Sequence, residues 1–204
     1  LIVAAVVAVI TLFIATALEY WIPFRQDWKG NPKSIQLDLL HIPMTELTSQ
    51  GIVRFAIFGL SMIFGLELTR PTATGWWSLT GIGELPVFFQ FAIGMLILDF
   101  GLYWQHRIFH TNRYCWLGHQ IHHSPRQLTA TTGIRNHVIG PLTTAIISLL
   151  FGSLGPTDEV FVMLHVWIIA KGWLQHSNAD IQTPILDYLF PTPKVHRWHH
   201  SLEQ

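Results

Sequence analysis

Histidine is the residue type whose number and spacing suggest chemistry in this sequence. The 204-residue chain contains 12 histidines, as many as its lysines and arginines together. Because imidazole is the commonest metal ligand among side chains, a metal site is the first hypothesis. Eight of the histidines fall into three closely spaced groups: His106 and His110; His119, His122 and His123; and His196, His199 and His200.

The spacing within these groups suits convergence on metal ions. Residues three or four positions apart lie on the same face of a helix, so each group can direct its imidazoles at one point. The pattern His-x-x-His-His occurs twice, which is hard to obtain by chance. A zinc site uses four protein ligands when structural and three when catalytic. Eight imidazoles therefore predict two metal ions, each with four or five nitrogen ligands.

Nitrogen ligands alone do not identify the metal, since imidazole suits zinc, copper, iron and nickel. The His-Glu-x-x-His pattern of zinc proteases does not fit the first group. Arg107 occupies the position of the general base. Without that base, hydrolysis is not favoured.

The composition predicts a lipid environment. Half of the residues are hydrophobic and 12% are charged, whereas a soluble domain carries about 25% charged residues. The formal net charge is zero, which argues against a nucleic-acid partner, because phosphate binding needs a positive surplus.

Apolar segments predict the architecture, since a membrane helix needs about 20 mostly apolar residues. The candidate segments are residues 1–18, 52–68, 85–98, 138–154 and 160–170. The last two are short and are predicted to form a hairpin that enters the bilayer and returns. We therefore expect one all-α domain over residues 1–204, an integral membrane bundle of about four membrane helices or hairpins. In it, residues 1–98 supply membrane helices and a connecting loop, and residues 99–204 form a histidine-rich cytosolic cap with the embedded hairpin.

The order of these segments also predicts the orientation of a multi-pass protein. Counting the crossings places all three histidine groups on the same side of the membrane. That side also carries more lysine and arginine, which marks the cytoplasmic face. The metal site is therefore predicted on the cytoplasmic face.

Three segments of this sequence resemble the fatty acid hydroxylase/sterol desaturase superfamily. They are Asp-Phe-Gly-Leu-Tyr-Trp-Gln-His-Arg-Ile-Phe-His at residues 99–110, Gly-His-Gln-Ile-His-His-Ser at 118–124, and Thr-Pro-Lys-Val-His-Arg-Trp-His-His-Ser at 192–201. Within the superfamily, the chain looks most like the bacterial membrane hydroxylases and the alkylglycerol monooxygenase branch. The resemblance implies two non-haem irons, with O2 as cosubstrate and a small redox protein as electron donor. It also implies oxidation of a membrane lipid. Zinc can displace iron in a purified sample.

The resemblance adds two candidate ligands outside the three groups. His176 stands at the spacing where the family places an extra ligand before the third group. His137 matches an arginine-to-histidine segment that follows the second group. For His176 a hydrogen-bonded interfacial histidine is the alternative, and the role of His137 is left open. His165 and His41 are predicted to be ordinary buried or surface residues.

Hydroxylation of a lipid C–H bond is the favoured function, and desaturation with the same metal site is the alternative within the enzyme class. A metal transporter would place its histidines at bilayer depth, whereas these groups fall just outside the apolar segments. A non-enzymatic metal-binding membrane protein is a further alternative. The substrate stays open among acyl chains, ornithine lipids, sterols and alkylglycerols.

Overall fold

The computed structural model describes residues 2–29, 31–43 and 75–201. Within these ranges the structure is helical, and the only β pairing is an isolated antiparallel bridge between Pro23 and Ala179. The predicted all-α class is therefore confirmed. The described helices are α1 (Ile2–Trp21), α2 (residues 32–43), α3 (Trp76–Leu79), α4 (Val87–Thr111), α5 (Arg113–His122), α6 (Ile139–Gly152), α7 (Asp158–His176) and α8 (Pro193–His199).

The chain divides into two compact units. Unit 1 contains residues 1–42, 120–136 and 166–204, and unit 2 contains residues 43–119 and 137–165. The single domain predicted over residues 1–204, with a division at residue 98, stays a prediction.

Four of the predicted apolar segments coincide with α1, α4, α6 and α7, and the segment 52–68 lies outside the described residues. Among the described helices, α4 is the one that is long and apolar enough to cross a membrane, with a mean hydropathy of 1.6 over an 18-residue window. Its 25 residues extend about 38 Å, compared with about 30 Å for a bilayer core. The 14 residues of α6 reach only about 21 Å. The bundle of about four spans, its cytosolic cap and its orientation therefore stay predictions.

In unit 2, close packing fixes the path of α4. A Cβ atom added at Gly94 would lie 2.7 Å from Leu164 Cδ1, so glycine permits this approach. The buried Trp77 donates its indole N–H to Gln90 Oε1 at 3.0 Å. Further along α4, Gln105 donates its amide to the carbonyl of Gly140 in α6 at 3.2 Å. These contacts hold the helix that carries the first histidine group.

In unit 1, the segment after α1 pairs with the segment after α7. Phe24 N–H donates to the Asn178 carbonyl, and Asp180 N–H donates to the Ile22 carbonyl, both at 2.7 Å. Asn178 is buried, and its side-chain amide donates to the carbonyl of Arg25 at 2.8 Å. The N-terminal part of the chain is thereby tied to the segment that follows His176.

Candidate metal centre

Four histidines of unit 1 converge at one point, and we call them the tetrad. His122 ends α5, His176 ends α7, and His196 and His200 belong to α8 and its C-cap. All four are buried. Their ligand atoms lie within 4.8 Å of one another. The successive Nε2–Nε2 distances are 3.0 Å from His122 to His176, 2.8 Å from His176 to His196 and 3.1 Å from His196 to His200.

Hydrogen bonds on the opposite ring nitrogens hold two of these imidazoles in the orientation that metal binding needs. His122 Nδ1 lies 3.1 Å from the Arg135 carbonyl, and His176 Nδ1 lies 2.7 Å from the Gly172 carbonyl. A carbonyl only accepts, so both Nδ1 atoms carry a proton, and in the neutral rings both Nε2 atoms present lone pairs. Two lone pairs 3.0 Å apart repel unless a cation lies between them. The residues therefore fit a bound metal, and the carbonyl partners are those that fix the tautomer of ligating histidines.

The surroundings also favour the neutral form that binds metal. Burial lowers the pKa of His196 well below its usual value, and repulsion from His176 and His200 lowers it further. Burial likewise lowers the pKa of His200, with His122 and His176 as the next contributors. A histidine must be deprotonated to bind a metal ion. Both effects therefore favour the neutral form of His196 and His200 that can bind one.

A buried ion pair holds the segment that orients His122. Asp38 on α2 has no solvent exposure, and its carboxylate lies 2.6 Å from the guanidinium of Arg135. It also accepts the hydroxyl of Thr131 at 2.8 Å. Since the carbonyl of Arg135 is the partner of His122 Nδ1, Asp38 positions the histidine through Arg135.

A second carboxylate links the segments on either side of the tetrad. Glu19 Oε1 at the end of α1 accepts the backbone N–H of Ala130 at 2.6 Å and that of Asn178 at 2.8 Å. Ala130 begins the turn that leads to Arg135, and Asn178 lies two residues after His176. Neither Glu19 nor Asp38 is predicted from the sequence as a functional residue. An acidic residue closing the apolar run of α1 was the one available signal, because charges in such positions are costly and often functional.

Capping explains why the third histidine group forms a short helix. Thr192 is the N-cap of α8, with its hydroxyl oxygen facing Val195 N–H, and Pro193 occupies the first turn, where proline is favoured. Asp187 accepts the Thr192 hydroxyl at 2.6 Å. Arg197 donates to the carbonyls of Ser177 and Ala179 at 3.1 and 2.9 Å. The helix that carries His196 is therefore fixed to the segment that follows His176.

Unit 2 brings together His106, His110 and His119, which we call the triad. The distances between ring centroids are 4.9 Å for His106–His110, 4.7 Å for His106–His119 and 4.8 Å for His110–His119. His106 and His110 are one turn apart on α4, as their spacing predicted. The triad offers three imidazole nitrogens that could bind a metal ion.

The remaining predicted ligands lie in different surroundings. In unit 1, His123 lies 4.8 Å from His199 and stacks on His200 at 4.1 Å between ring centroids. In unit 2, His137 Nδ1 accepts the backbone N–H of Ile139 at 3.4 Å, and His137 does not join the triad. The roles of these histidines, and of those in the tetrad and the triad, as metal ligands stay predictions.

In the described residues, the chain is a helical protein whose histidines form clusters that could hold metal ions. Residues 91–204 match the family model described as fatty acid hydroxylase. The match covers just over half of the chain, so the chain belongs to the fatty acid hydroxylase family. The family resemblance predicted from the three segments is confirmed.

Relatives of this chain carry lipid-oxidising names. The chain is 32% identical over 197 residues to the ornithine lipid hydroxylase OlsE of Rhizobium tropici, covering 96% of this chain and 59% of the relative. It is 26% identical over 201 residues to the alkylglycerol monooxygenase of Xenopus tropicalis, covering 95% of this chain and 41% of the relative. The chain therefore spans about half the length of these relatives. No solved structure matches it significantly.

Proposed function

We propose that this chain is the catalytic part of an O2-dependent lipid hydroxylase. The observation that carries the proposal is the buried tetrad, in which two fixed lone pairs face each other, in a chain of the fatty acid hydroxylase family. The reaction converts R–H, O2, two electrons and two protons into R–OH and water. The electrons would come from a small redox protein, as the family resemblance implies.

The ligand set is proposed for two iron ions. The tetrad would hold one metal, and the triad would offer three nitrogens to a second metal. His123, His199 and His137 stay predicted ligands. The chemistry supplied by two bound irons is the reductive activation of O2 for attack on an unactivated C–H bond.

The residues of the chain have three roles in this proposal. Neutral imidazoles leave the positive charge of the metal uncompensated, unlike carboxylate ligands. The carbonyls of Arg135 and Gly172 hold His122 and His176 in one orientation and one tautomer. Burial of all four tetrad rings excludes water from the reacting centre.

The membrane part of the proposal is supported by α4, which has the length and hydropathy of a spanning helix. The first histidine group lies in the last turns of this helix, so its metal would lie near the headgroup level. A multi-pass protein with its metal site on the cytoplasmic face, acting on a membrane lipid, is the arrangement we propose.

The test combines metal analysis with product analysis. We expect about two irons per chain and a coupled di-iron Mössbauer signal in iron-57-grown protein. With reductant and 18O2, a membrane lipid should gain one labelled hydroxyl. A new double bond without the oxygen label would indicate desaturation instead of hydroxylation. Metal without any O2-dependent product would favour a non-enzymatic metal-binding protein.

A matched pair of histidine variants tests the tetrad itself. His176 and His41 both place Nδ1 2.7 Å from the carbonyl four residues earlier, Gly172 and Leu37 respectively. Only His176 belongs to the tetrad. His176→Ala should therefore lower the metal content by about one ion per chain, whereas His41→Ala should leave it unchanged. Equal metal content in the two variants would refute the tetrad as a metal site.

A further inference from the structure

A pocket of unit 1 includes Arg135, the residue whose carbonyl contacts His122, and is not part of the proposed metal site. Its volume is about 320 Å³, which is at the lower end of the range for small-molecule sites. One wall is the beginning of α2, and the other is the loop that follows His123. The lining residues are Asn31, Lys33, Ser34, Leu37, Ser124, Pro125, Arg126, Gln127 and Arg135.

The lining carries a positive charge. It includes Lys33, Arg126 and Arg135 and no acidic side chain. Asp38 neutralises Arg135 from its buried position, whereas Lys33 and Arg126 form no ion pair within the part of the chain that the structure describes. Two cations therefore remain for a ligand. Cationic side chains around a concave site select an anion, and guanidinium groups suit the oxygens of phosphate and carboxylate.

Hydrogen-bond donors in the lining of the pocket also suit an oxyanion. The Ser34 hydroxyl oxygen accepts from the guanidinium of Arg135 at 3.1 Å. Because a hydroxyl both accepts and donates, its hydrogen stays available for a ligand. The pocket also lies at the start of α2, where the helix dipole favours negative charge, although the Ser34 N–H already donates to Asn31 Oδ1 at 3.4 Å.

Apolar residues on the same helix indicate that the anion belongs to a lipid. Leu37 lines the pocket and is 50% exposed, and Leu40, one turn further along α2, is 68% exposed. Asp38 between them has no exposure. The helix therefore turns leucines outward, as interfacial helices do when their apolar face contacts acyl chains. A free anion would gain nothing from these leucines, whereas a lipid would contact them beside its headgroup.

The pocket shares residues with the support of the tetrad. The guanidinium of Arg135 lines the pocket, and the carbonyl of the same residue fixes His122. Ser124 lines the pocket two residues after His122, so their Cα atoms are at most about 8 Å apart. We propose that this pocket binds the anionic headgroup of a lipid, a phosphate or a carboxylate, through Lys33 and Arg126. The inference rests on the proposed function, because it assigns the headgroup of that lipid substrate.

A binding experiment without turnover tests this proposal. The protein is loaded with zinc, because zinc carries out no redox chemistry. In detergent it is titrated with dioctanoyl phosphatidate, with uncharged dioctanoylglycerol and with inorganic phosphate. The wild-type chain should bind the phosphatidate more tightly than either of the other probes. The double variant Lys33→Gln/Arg126→Gln should bind it about 10- to 30-fold more weakly, since each interfacial cation contributes about 1 kcal/mol. Its affinity for dioctanoylglycerol should not change.

A second double variant controls for net charge. Lys29→Gln/Arg113→Gln removes the same two residue types at exposed positions outside the pocket and should bind phosphatidate like the wild type. Equal losses in the two double variants, or no loss in the first, would overturn the proposal. Phosphate bound as tightly as phosphatidate would show an anion site without a lipid and would also overturn it. Because the assay involves no oxidation, failure to form a hydroxylated product would challenge the proposed function and leave this result standing.

Discussion

At the scale of single residues, backbone carbonyls do part of the work that carboxylates often do in metal sites. His122 and His176 each hold a proton on Nδ1 against a carbonyl, at 3.1 and 2.7 Å. Two carboxylates act less directly. Asp38 binds the guanidinium of Arg135, and Glu19 binds the backbone N–H groups of Ala130 and Asn178. The negative charge is thereby kept off the ligands, and the ring orientation is still fixed.

Asp38→Asn should weaken metal binding without touching a ligand. Loss of the charge leaves Arg135 without its buried partner, which costs about 3–5 kcal/mol of stability. Movement of Arg135 should lower the metal affinity of the tetrad about 10- to 100-fold. A competition titration with a chelator measures the affinity, and thermal unfolding in detergent measures the stability.

The control for this prediction is Asp27→Asn, which breaks the exposed pair between Arg25 and Asp27 and should change neither quantity measurably. A double variant distinguishes a loss of stability from a loss of histidine positioning. Asp38→Leu/Arg135→Met replaces the buried ion pair by apolar groups, which is often neutral or stabilising, and retains the backbone carbonyl of residue 135. If the double variant is stable but Asp38→Asn binds metal normally, Asp38 is not a positioning residue.

The stability of the metal-free protein should depend on pH through His196 and His200. Their pKa values are lowered in the folded state by burial, whereas unfolded histidine has a pKa of about 6.5. Below that pH the unfolded state binds more protons, so the free energy of unfolding should fall by up to about 1.4 kcal/mol per pH unit for each histidine. Above about pH 6.5 the curve should be flat. Unfolding midpoints from about pH 5 to 8 measure it, and His200→Gln should reduce the slope. A flat curve over that range would contradict the prediction.

At the scale of helices and turns, the close approach of the 130–134 turn to α7 sets the position of His176. A Cβ atom added at Gly133 would lie 3.0 Å from His176 Nδ1 and 3.1 Å from the Gly172 carbonyl. These two atoms form the hydrogen bond that fixes the ring. A methyl group there must displace one of them by a few tenths of an ångström, so the site depends on glycine at this turn.

Gly133→Ala should therefore reduce the metal affinity of the tetrad by about 10-fold or more. Gly172→Ala is the matched control, because a Cβ atom at Gly172 meets no atom within 4 Å. In the helix it should stabilise the protein by about 0.5–1 kcal/mol and leave metal binding unchanged. Chelator competition on both variants gives the answer. Equal metal affinities of the two variants would show that the turn can shift without displacing the His176 ring.

The same scale shows what could be predicted from the sequence. The spacing of His106 and His110 placed both on one helix face, because that spacing is a local property of the chain. The apolar segment predicted to end at residue 98 continues as α4 to Thr111, since a loss of apolar residues ends a membrane segment but does not end a helix. The partners of Glu19 lie 111 and 159 residues away. Long-range hydrogen bonds leave no periodicity in the sequence, so these supports were not predictable.

At the scale of the whole molecule, the question is what surrounds the apolar surface. On α4, Gly94 and Leu98 are buried against the protein, whereas Leu96 is 54% exposed. In water, an exposed leucine can be replaced by arginine with little effect. Within a bilayer, arginine near the centre of a span costs about 2.5–3.5 kcal/mol, and the cost falls toward the ends, where the side chain reaches the interface.

Two matched substitutions on α4 distinguish these environments. Leu96 lies near the middle of Val87–Thr111, and Ile108 lies near its end with a similar exposure of 49%. If α4 spans the membrane, Leu96→Arg should reduce insertion of this segment strongly and Ile108→Arg only weakly. The measurement places the segment in a host membrane protein with glycosylation sites on either side, so that the glycosylation pattern reports the inserted fraction. Equal insertion of the two variants would show that the cost of arginine does not depend on its depth. Because only a bilayer imposes that dependence, this result would contradict the proposed role of α4 as a membrane span.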